Sequence, residues 1–173
     1  LVKAAELLPD GYKIIVFAGW RPYSVQKRLW DYYYREVMHK PENKGLSQEE
    51  LEFKTSFFVS KPTEDITKPF LHNTGGAVDV TICTAEGKSL NMGTAFDDFT
   101  GRAWTNYYEI HDENDEVKKN RRMLYNVMLE AGFTNLPSEW WHYDYGTKFW
   151  AYFKSQDALY YGRLTIEGVE QFP

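Results

Sequence analysis

The chain has 173 residues, the length of one ordinary domain and enough to bury a hydrophobic core without disulfides. A single cysteine, Cys83, excludes an intrachain disulfide and a zinc site built from several cysteines. The net charge of −5 argues against nucleic acid and anionic membranes as partners, and no apolar stretch approaches the roughly 20 residues that span a bilayer. Aromatic residues make up 17% of the chain, enough to line a pocket as well as a core.

The amino-terminal part predicts a helix, a strand and a second helix. Residues 1–8 are amphipathic and lead to a turn signal. Residues 12–18 form a short, apolar run with β-branched side chains, which is typical of a buried strand. Pro22 suits the first turn of a helix that continues to about His39. The residues that recur at helical spacing, and so predict its apolar face, are Val25, Leu29, Tyr33 and Val37.

The remaining chain mixes helices and strands. A capping box at residues 47–50 predicts a helix start, and residues 77–82 predict a strand. Residues 91–113 look like a loop rich in aromatic and acidic side chains. Residues 115–131 predict a helix, and residues 133–145 contain one or two strands. Because strands and helices do not alternate regularly, we expect an α+β fold with a mainly antiparallel central sheet and flanking helices.

Two histidines and an aspartate form a candidate metal set. Asp79 lies within an otherwise apolar strand, where a buried carboxylate is costly unless it is paired or binds a metal. Catalytic zinc typically takes three ligands from His, Asp and Glu and keeps a fourth position for water. The residues that supply such a set here are His72, Asp79 and His142. Taken singly, each of them also has an ordinary structural interpretation.

Further groups suit a hydrolytic site. Glu139 precedes His142 by three residues, and a carboxylate near the metal is what a zinc hydrolase needs as general base. Arg21 directly follows a predicted buried strand, so its guanidinium is a candidate partner for an oxyanion or a substrate carboxylate. Trp140 and Trp141 alternate on a predicted strand, so one of them is expected to wall the site and the other to pack in the core.

Four segments, in this order, resemble the D-alanyl-D-alanine dipeptidases of the VanX type. These are zinc peptidases within the D-Ala-D-Ala carboxypeptidase and hedgehog-like fold group. The likeness covers the chain from about Leu1 to Phe153, and residues 120–122 (NRR) also point to the dipeptidases. The four segments are residues 19–22 (GWRP), 72–79 (HNTGGAVD), 91–97 (NMGTAFD) and 139–142 (EWWH).

The resemblance implies a fold and a role for each matching residue. It implies a hedgehog/DD-peptidase-like fold with one zinc ion per chain. The implied zinc ligands are His72, Asp79 and His142. Glu139 matches the catalytic base, and Arg21 matches the arginine that stabilises the transition state. Asp97 matches an aspartate that helps to hold the free amino end of the dipeptide, and we expect Trp141 to contribute to substrate binding.

We therefore expect residues 1–173 to form a single zinc peptidase domain that lacks a preceding segment and hydrolyses a small cell-wall-derived D,D-dipeptide. The alternatives are a D,D- or L,D-carboxypeptidase of the same fold and a non-catalytic, metal-stabilised module that binds peptidoglycan. Departures from the family at Ala18, residues 70–71 and Thr74 leave the exact dipeptide open. We expect no nucleic-acid partner and no membrane segment. The bacterial cytoplasm and the periplasm are both open as compartments, and the oligomeric state is unassigned.

Overall fold

The computed structural model describes residues 1–156 and 161–164. The helices in these ranges are α1 (Val2–Glu6), α2 (Tyr23–His39), α3 (Gln48–Thr55), α4 (Tyr107–Ile110), α5 (Asp115–Glu130) and α6 (Lys148–Phe153). The strands are β1 (Tyr12–Ala18), β2 (Ala77–Thr84), β3 (Thr134–Asn135) and β4 (His142–Asp144). Short 3₁₀ turns span Pro41–Asn43, Leu71–Thr74 and Gly101–Ala103. None of these helices is both long and apolar enough to cross a bilayer.

The four strands form one antiparallel sheet in the order β1-β2-β4-β3. β2 pairs with β1 along almost its whole length, with an irregularity between Val16 and Ala18. On its other side, β2 pairs with the short β4, where Asp79 lies opposite His142. The predicted α+β fold with an antiparallel sheet is therefore confirmed. The division of the chain into one domain stays a prediction.

The core lies between the sheet and α5. Alternation along β2 directs Val78, Val80 and Ile82 into it, and all three are buried. α5 contributes Leu124 and Met128, each with no exposed surface. The same alternation turns Asp79 to the opposite face of β2, away from these apolar side chains. The strand that anchors the core thus also carries the candidate metal ligand.

The polarity of α2 differs from the prediction, although its bounds agree. Val25 was expected on the apolar face but is 41% exposed, whereas Gln26 is only 1% exposed. Gln26 tolerates burial because its side chain amide is paired: it accepts from Arg21 Nη1 at 3.0 Å and donates to the Ser60 carbonyl at 2.6 Å. A hydrogen-bonded amide therefore lies where the sequence pattern predicts an aliphatic side chain.

Three other local predictions have different outcomes. The capping box at Ser47 and Glu50 is confirmed, because each residue's backbone N–H is bonded to the other's side chain. Residues 91–113, predicted as a loop, contain a 3₁₀ turn and α4, which are too short to show a periodic pattern. Trp140 and Trp141 lie in the turn before β4 rather than on a strand, so the alternation assumed for them is wrong.

Candidate metal centre and its cavity

The three predicted metal ligands lie together beside the sheet. Asp79 and His142 face each other across the β2–β4 pair, and His72 comes from the 3₁₀ turn just before β2. One potential ligand atom from each residue lies within 4.8 Å of the other two, and all three residues are buried. The pairing of strands and the preceding turn therefore bring together ligands that are up to 70 residues apart in the chain.

Backbone contacts orient His72. Its Nδ1 lies 2.8 Å from the Gly19 carbonyl oxygen, which only accepts, so Nδ1 carries the proton. Its Nε2 is left facing Asp79 Oδ2 at 3.3 Å. The turn behind it needs glycine at Gly76, since a Cβ there would lie 2.5 Å from the Tyr145 carbonyl oxygen. The ring therefore points its second nitrogen, Nε2, toward the centre of the cluster.

His142 points its Nδ1 toward the centre of the cluster, whereas His72 points its Nε2 there. Its Nδ1 lies 3.1 Å from Asp79 Oδ1, while its Nε2 lies 3.0 Å from Asp144 Oδ2. Asp144 has no exposed surface, and its other oxygen accepts from the Thr147 hydroxyl at 2.9 Å. A carboxylate behind a ligand histidine fixes the ring orientation and makes the ligand nitrogen more basic. Sequence reasoning missed Asp144, although its place two residues after His142, on the same face of a strand, was a usable signal.

The charges of the cluster favour a cation at its centre. Burial alone would raise the pKa of Asp79, but hydrogen bonds from His142 and His72 outweigh it and hold that pKa far below its usual range. Burial alone would lower the pKa of His142, but hydrogen bonds to Asp144 and Asp79 raise it well above 6.5. The carboxyl groups of Asp79 and Asp144 on either side of one imidazole thus favour positive charge. The donor set, two imidazole nitrogens and a carboxylate, fits Zn²⁺.

Glu139 lies at the edge of the cluster. Its Oε2 is 3.8 Å from His142 Nδ1, and its side chain is 19% exposed. Burial raises the pKa of Glu139 to about 7, with His142 lowering it and Asp79 raising it further. A carboxyl with a pKa near neutral accepts and returns a proton at physiological pH. Glu139 therefore has both the place and the proton affinity of a general base.

Arg21 lies beside Asp79. Its Nη2 is 3.8 Å from Asp79 Oδ2, and the side chain is 18% exposed. Nη1 donates to Gln26 Oε1, and the backbone N–H of Arg21 donates to the His72 carbonyl at 3.0 Å. These contacts fix the guanidinium next to the cluster while leaving part of it open to the cavity. Gln26 is a second residue of the site that sequence reasoning missed, because a glutamine inside a helical pattern carries no signal of burial.

Asp97 lies on a segment that we call the site loop (residues 92–104). Its backbone adopts a left-handed conformation with φ of 58°, and the residue is exposed at the mouth of the cavity. Desolvation, followed by the charge of Asp79, raises the pKa of the Asp97 carboxyl to about 6. Its carboxylate is therefore ionised at neutral pH and available to an incoming cation.

These groups share a cavity of about 80 Å³. Its lining includes all seven predicted site residues: Arg21, His72, Asp79, Asp97, Glu139, Trp141 and His142. Both tryptophans pack in the core, and only Trp141 of the two also lines this cavity. Trp140 donates to the Thr94 hydroxyl at 2.8 Å. A larger cavity of about 600 Å³ opens near α5 and α6, and its described lining contains no predicted site residue.

A family model described as D-Ala-D-Ala dipeptidase, of the peptidase M15 group, matches residues 1–158. The chain belongs to this peptidase family. Similar curated proteins are three D-alanyl-D-alanine dipeptidases. That of Synechocystis is 27% identical over 92% of this chain, that of Escherichia coli 24% over 78%, and that of Enterococcus faecium 30% over 83%. The chain spans 72%, 56% and 67% of their respective lengths.

Two solved structures are remotely similar to the chain. One is a vancomycin-resistance D,D-pentapeptidase, VanY, in complex with Zn(II): 18% identity, a TM-score of 0.40, and coverage of 87% of this chain and 70% of that one. The other is VanYB in complex with D-alanine-D-alanine: 21% identity, a TM-score of 0.38, and coverage of 85% and 68%. The family membership confirms the resemblance to D-Ala-D-Ala dipeptidases and the prediction of a peptidase. Together with the His-Asp-His cluster, it also confirms the expected zinc cofactor.

Proposed function

We propose that the chain is a zinc-dependent D-alanyl-D-alanine dipeptidase that hydrolyses a small D,D-dipeptide derived from the bacterial cell wall. The observation that carries the proposal is the meeting of a metal-binding triad, a buried carboxyl with a pKa near 7, an arginine and an exposed aspartate in one small cavity. The residues proposed to hold the ion are His72, Asp79 and His142. When bound there, zinc acts as a Lewis acid that makes water nucleophilic at neutral pH.

The proton transfers are assigned to Glu139. As a carboxylate it accepts the proton of the attacking water, and as an acid it returns this proton to the amine that leaves. Its pKa near 7 suits both directions, because neither protonation state is strongly favoured. The partly open position of Glu139 gives water and substrate access to the same carboxyl.

Two charged residues are assigned to the substrate. Arg21 stabilises negative charge that develops on the oxygen of the scissile amide, since its guanidinium is held in place by Gln26 before substrate arrives. Asp97 binds the free ammonium of the dipeptide at the mouth of the cavity, where charge complementarity favours a cation. Trp141 forms an apolar wall beside them. An anchor for the free amino end disfavours peptides that are extended at that end.

The proposal is tested with the purified, zinc-loaded chain and a panel of substrates. We expect release of D-alanine from D-Ala-D-Ala, with little cleavage of L-Ala-L-Ala and of N-acetyl-D-Ala-D-Ala. Metal analysis is expected to give one zinc per chain, and a chelator is expected to abolish turnover. Faster cleavage of the acetylated substrate would instead identify a carboxypeptidase, which is compatible with the same family. Zinc binding without turnover of any substrate would favour a peptidoglycan-binding module.

The proposal covers an enzyme of either the bacterial cytoplasm or the periplasm.

Glu139 and Arg21 both line the cavity, and a module that only binds peptidoglycan needs no general base. These two residues are therefore the reason to prefer an enzyme over a binding module.

A further inference from the structure

Arg121 connects the two ends of the site loop. It lies on α5 and is only 4% exposed. Nε donates to the Met92 carbonyl at 2.8 Å, at the start of the loop. At the other end, Nη2 donates to the Arg102 carbonyl at 2.9 Å and Nη1 donates to the Trp104 carbonyl at 2.7 Å. One rigid guanidinium therefore sets the separation of the loop ends.

The rings that stack on Arg121 also bind the loop. Its guanidinium lies 4.8 Å from the ring centroid of Tyr108 and 5.8 Å from that of Trp140. The Tyr108 hydroxyl donates to the Gly93 carbonyl at 3.0 Å, and the Trp140 indole donates to the Thr94 hydroxyl. The guanidinium of Arg121 and the two rings packed against it therefore all donate hydrogen bonds to the site loop.

The middle of the loop carries the side chains that enter the cavity. Asp97 lies there with its left-handed backbone, a conformation that costs free energy for any residue but glycine and persists only when surrounding contacts impose it. Phe99 follows it, lines the cavity and packs edge-on against Tyr33 with ring centroids 5.0 Å apart. Constraints on the loop ends are therefore also constraints on the mouth of the cavity.

The chemistry of Arg121 is specific to this arrangement. Desolvation lowers its pKa to about 10, so burial of the cation is unfavourable, although the side chain stays charged at neutral pH. A lysine has the same charge, but its ammonium is a single point and does not reach three carbonyl oxygens in the plane of a guanidinium. The planar arrangement of the guanidinium N–H donors, rather than the positive charge alone, accounts for an arginine at this position.

We propose that Arg121 is a positioning residue for substrate selection: by holding both ends of the site loop it places Asp97 where the free amino end of the dipeptide binds. The inference rests on the proposed function, because it assigns Asp97 to the ammonium. It gives a role to the NRR segment on α5, which none of the chemical steps uses. Asn120 holds the residue just before this loop, since its amide donates to the Asn91 carbonyl at 2.9 Å.

The test compares Arg121→Lys with a matched control on the same helix, Arg122→Lys. Arg122 is exposed and pairs with Glu109 rather than with the loop. Hydrogen exchange of the backbone amides is measured for residues 93–103 and for β2. Zinc content, kcat and KM are measured with D-Ala-D-Ala and with N-acetyl-D-Ala-D-Ala. Asn120→Ala, which removes only the bond to Asn91 just before the loop, serves if Arg121→Lys does not fold.

For Arg121→Lys we expect faster exchange in residues 93–103 with unchanged exchange in β2. We expect KM for D-Ala-D-Ala to rise by up to about fivefold, with kcat and zinc content close to those of the unmodified protein. KM for the acetylated substrate, which has no ammonium, should not change, and Arg122→Lys should behave like the unmodified chain.

Two results would overturn the inference. One is unchanged exchange in the loop, and the other is an equal loss with both substrates accompanied by loss of zinc, which indicates a general structural role. The exchange measurement does not depend on turnover. If the unmodified chain cleaves no dipeptide, the proposed function fails, while faster loop exchange in Arg121→Lys still supports Arg121 as the residue that holds the loop.

Discussion

The two sides of the candidate site are held in different ways. The metal side consists of residues on or next to the sheet, and the register of β2 and β4 places Asp79 opposite His142. The substrate side, around Asp97, lies on a loop whose shape depends on side chains of α5 and on Trp140. Backbone hydrogen bonds between β2 and β4 fix which residues of the metal side lie opposite each other. The position of the substrate side depends instead on a few hydrogen bonds from side chains to the loop.

This difference separates two properties of the molecule. A change on the sheet side is expected to alter metal binding or the chemical step for every substrate. A change in the loop or its supports is expected to alter which substrate is accepted, with zinc retained. The two sides can therefore be changed and measured separately.

The largest effect is expected from Glu139→Gln. Glutamine keeps the shape of the side chain but cannot accept a proton, so kcat should fall by about 10²- to 10⁴-fold. Zinc content should be unchanged, because Glu139 is not among the proposed ligands. Glu36→Gln, an exposed change on α2, is the control. A variant of Glu139 with near-normal kcat would contradict the assignment of the base.

A smaller effect is expected from Asp144→Ala. Loss of the carboxylate behind His142 should weaken zinc binding by about 10- to 100-fold, since partners of this kind orient and activate the ligand nitrogen. Competition with a chromophoric chelator at pH 8 measures the affinity, and His142→Ala gives the value for a lost ligand. Zinc affinity equal to that of the unmodified chain would show that Asp144 has only a structural role.

The pH profile should report on Glu139. Because its pKa is raised to about 7, Glu139 is protonated at lower pH and cannot act as a base. The value of kcat/KM should therefore fall by about tenfold per pH unit on the acid side. A bound cation lowers this pKa, so the inflection is expected at or below pH 7. Zinc content must be checked at each pH, because protons compete with a metal for its ligands. A profile that is flat from pH 5 to 8 would argue against Glu139.

The smallest effect is expected from Asp97→Asn on the loop side. The amide has a similar shape but no charge for the ammonium, so KM for D-Ala-D-Ala should rise by about fivefold, a modest change because the residue is exposed and screened by water. KM for N-acetyl-D-Ala-D-Ala should stay the same, and zinc should be retained. An equal change for both substrates would place the ammonium elsewhere.

The sequence predicted the metal side better than the substrate side. A carboxylate in an apolar strand and a histidine three residues after a glutamate are local signals, and they led to Asp79, Glu139 and His142. Residues that support the site through contacts with distant parts of the chain carry no such local signal. Gln26 has the appearance of an ordinary polar helix residue until its contacts with Arg21 and the Ser60 carbonyl are seen.

The loop shows the same limit. Arg121 was noted only as part of a family segment, because an arginine that binds three carbonyl oxygens requires knowledge of the path of residues 92–104. The assumed strand at Trp140 and Trp141 was wrong for a related reason. Their aromatic side chains suit a strand, but the local backbone forms a turn that is set by bonds to the Ala103 carbonyl and other distant groups.

The opposite ring orientations of His72 and His142 also give the molecule a spectroscopic signature. With zinc bound, His72 would keep its proton on Nδ1 against the Gly19 carbonyl, and His142 would keep its proton on Nε2 against Asp144. Nitrogen-15 labelling of the imidazoles would show the two tautomers as separate patterns of two-bond couplings in one spectrum of the zinc-loaded protein. Each ligand can then be followed on its own during metal exchange, without any added probe.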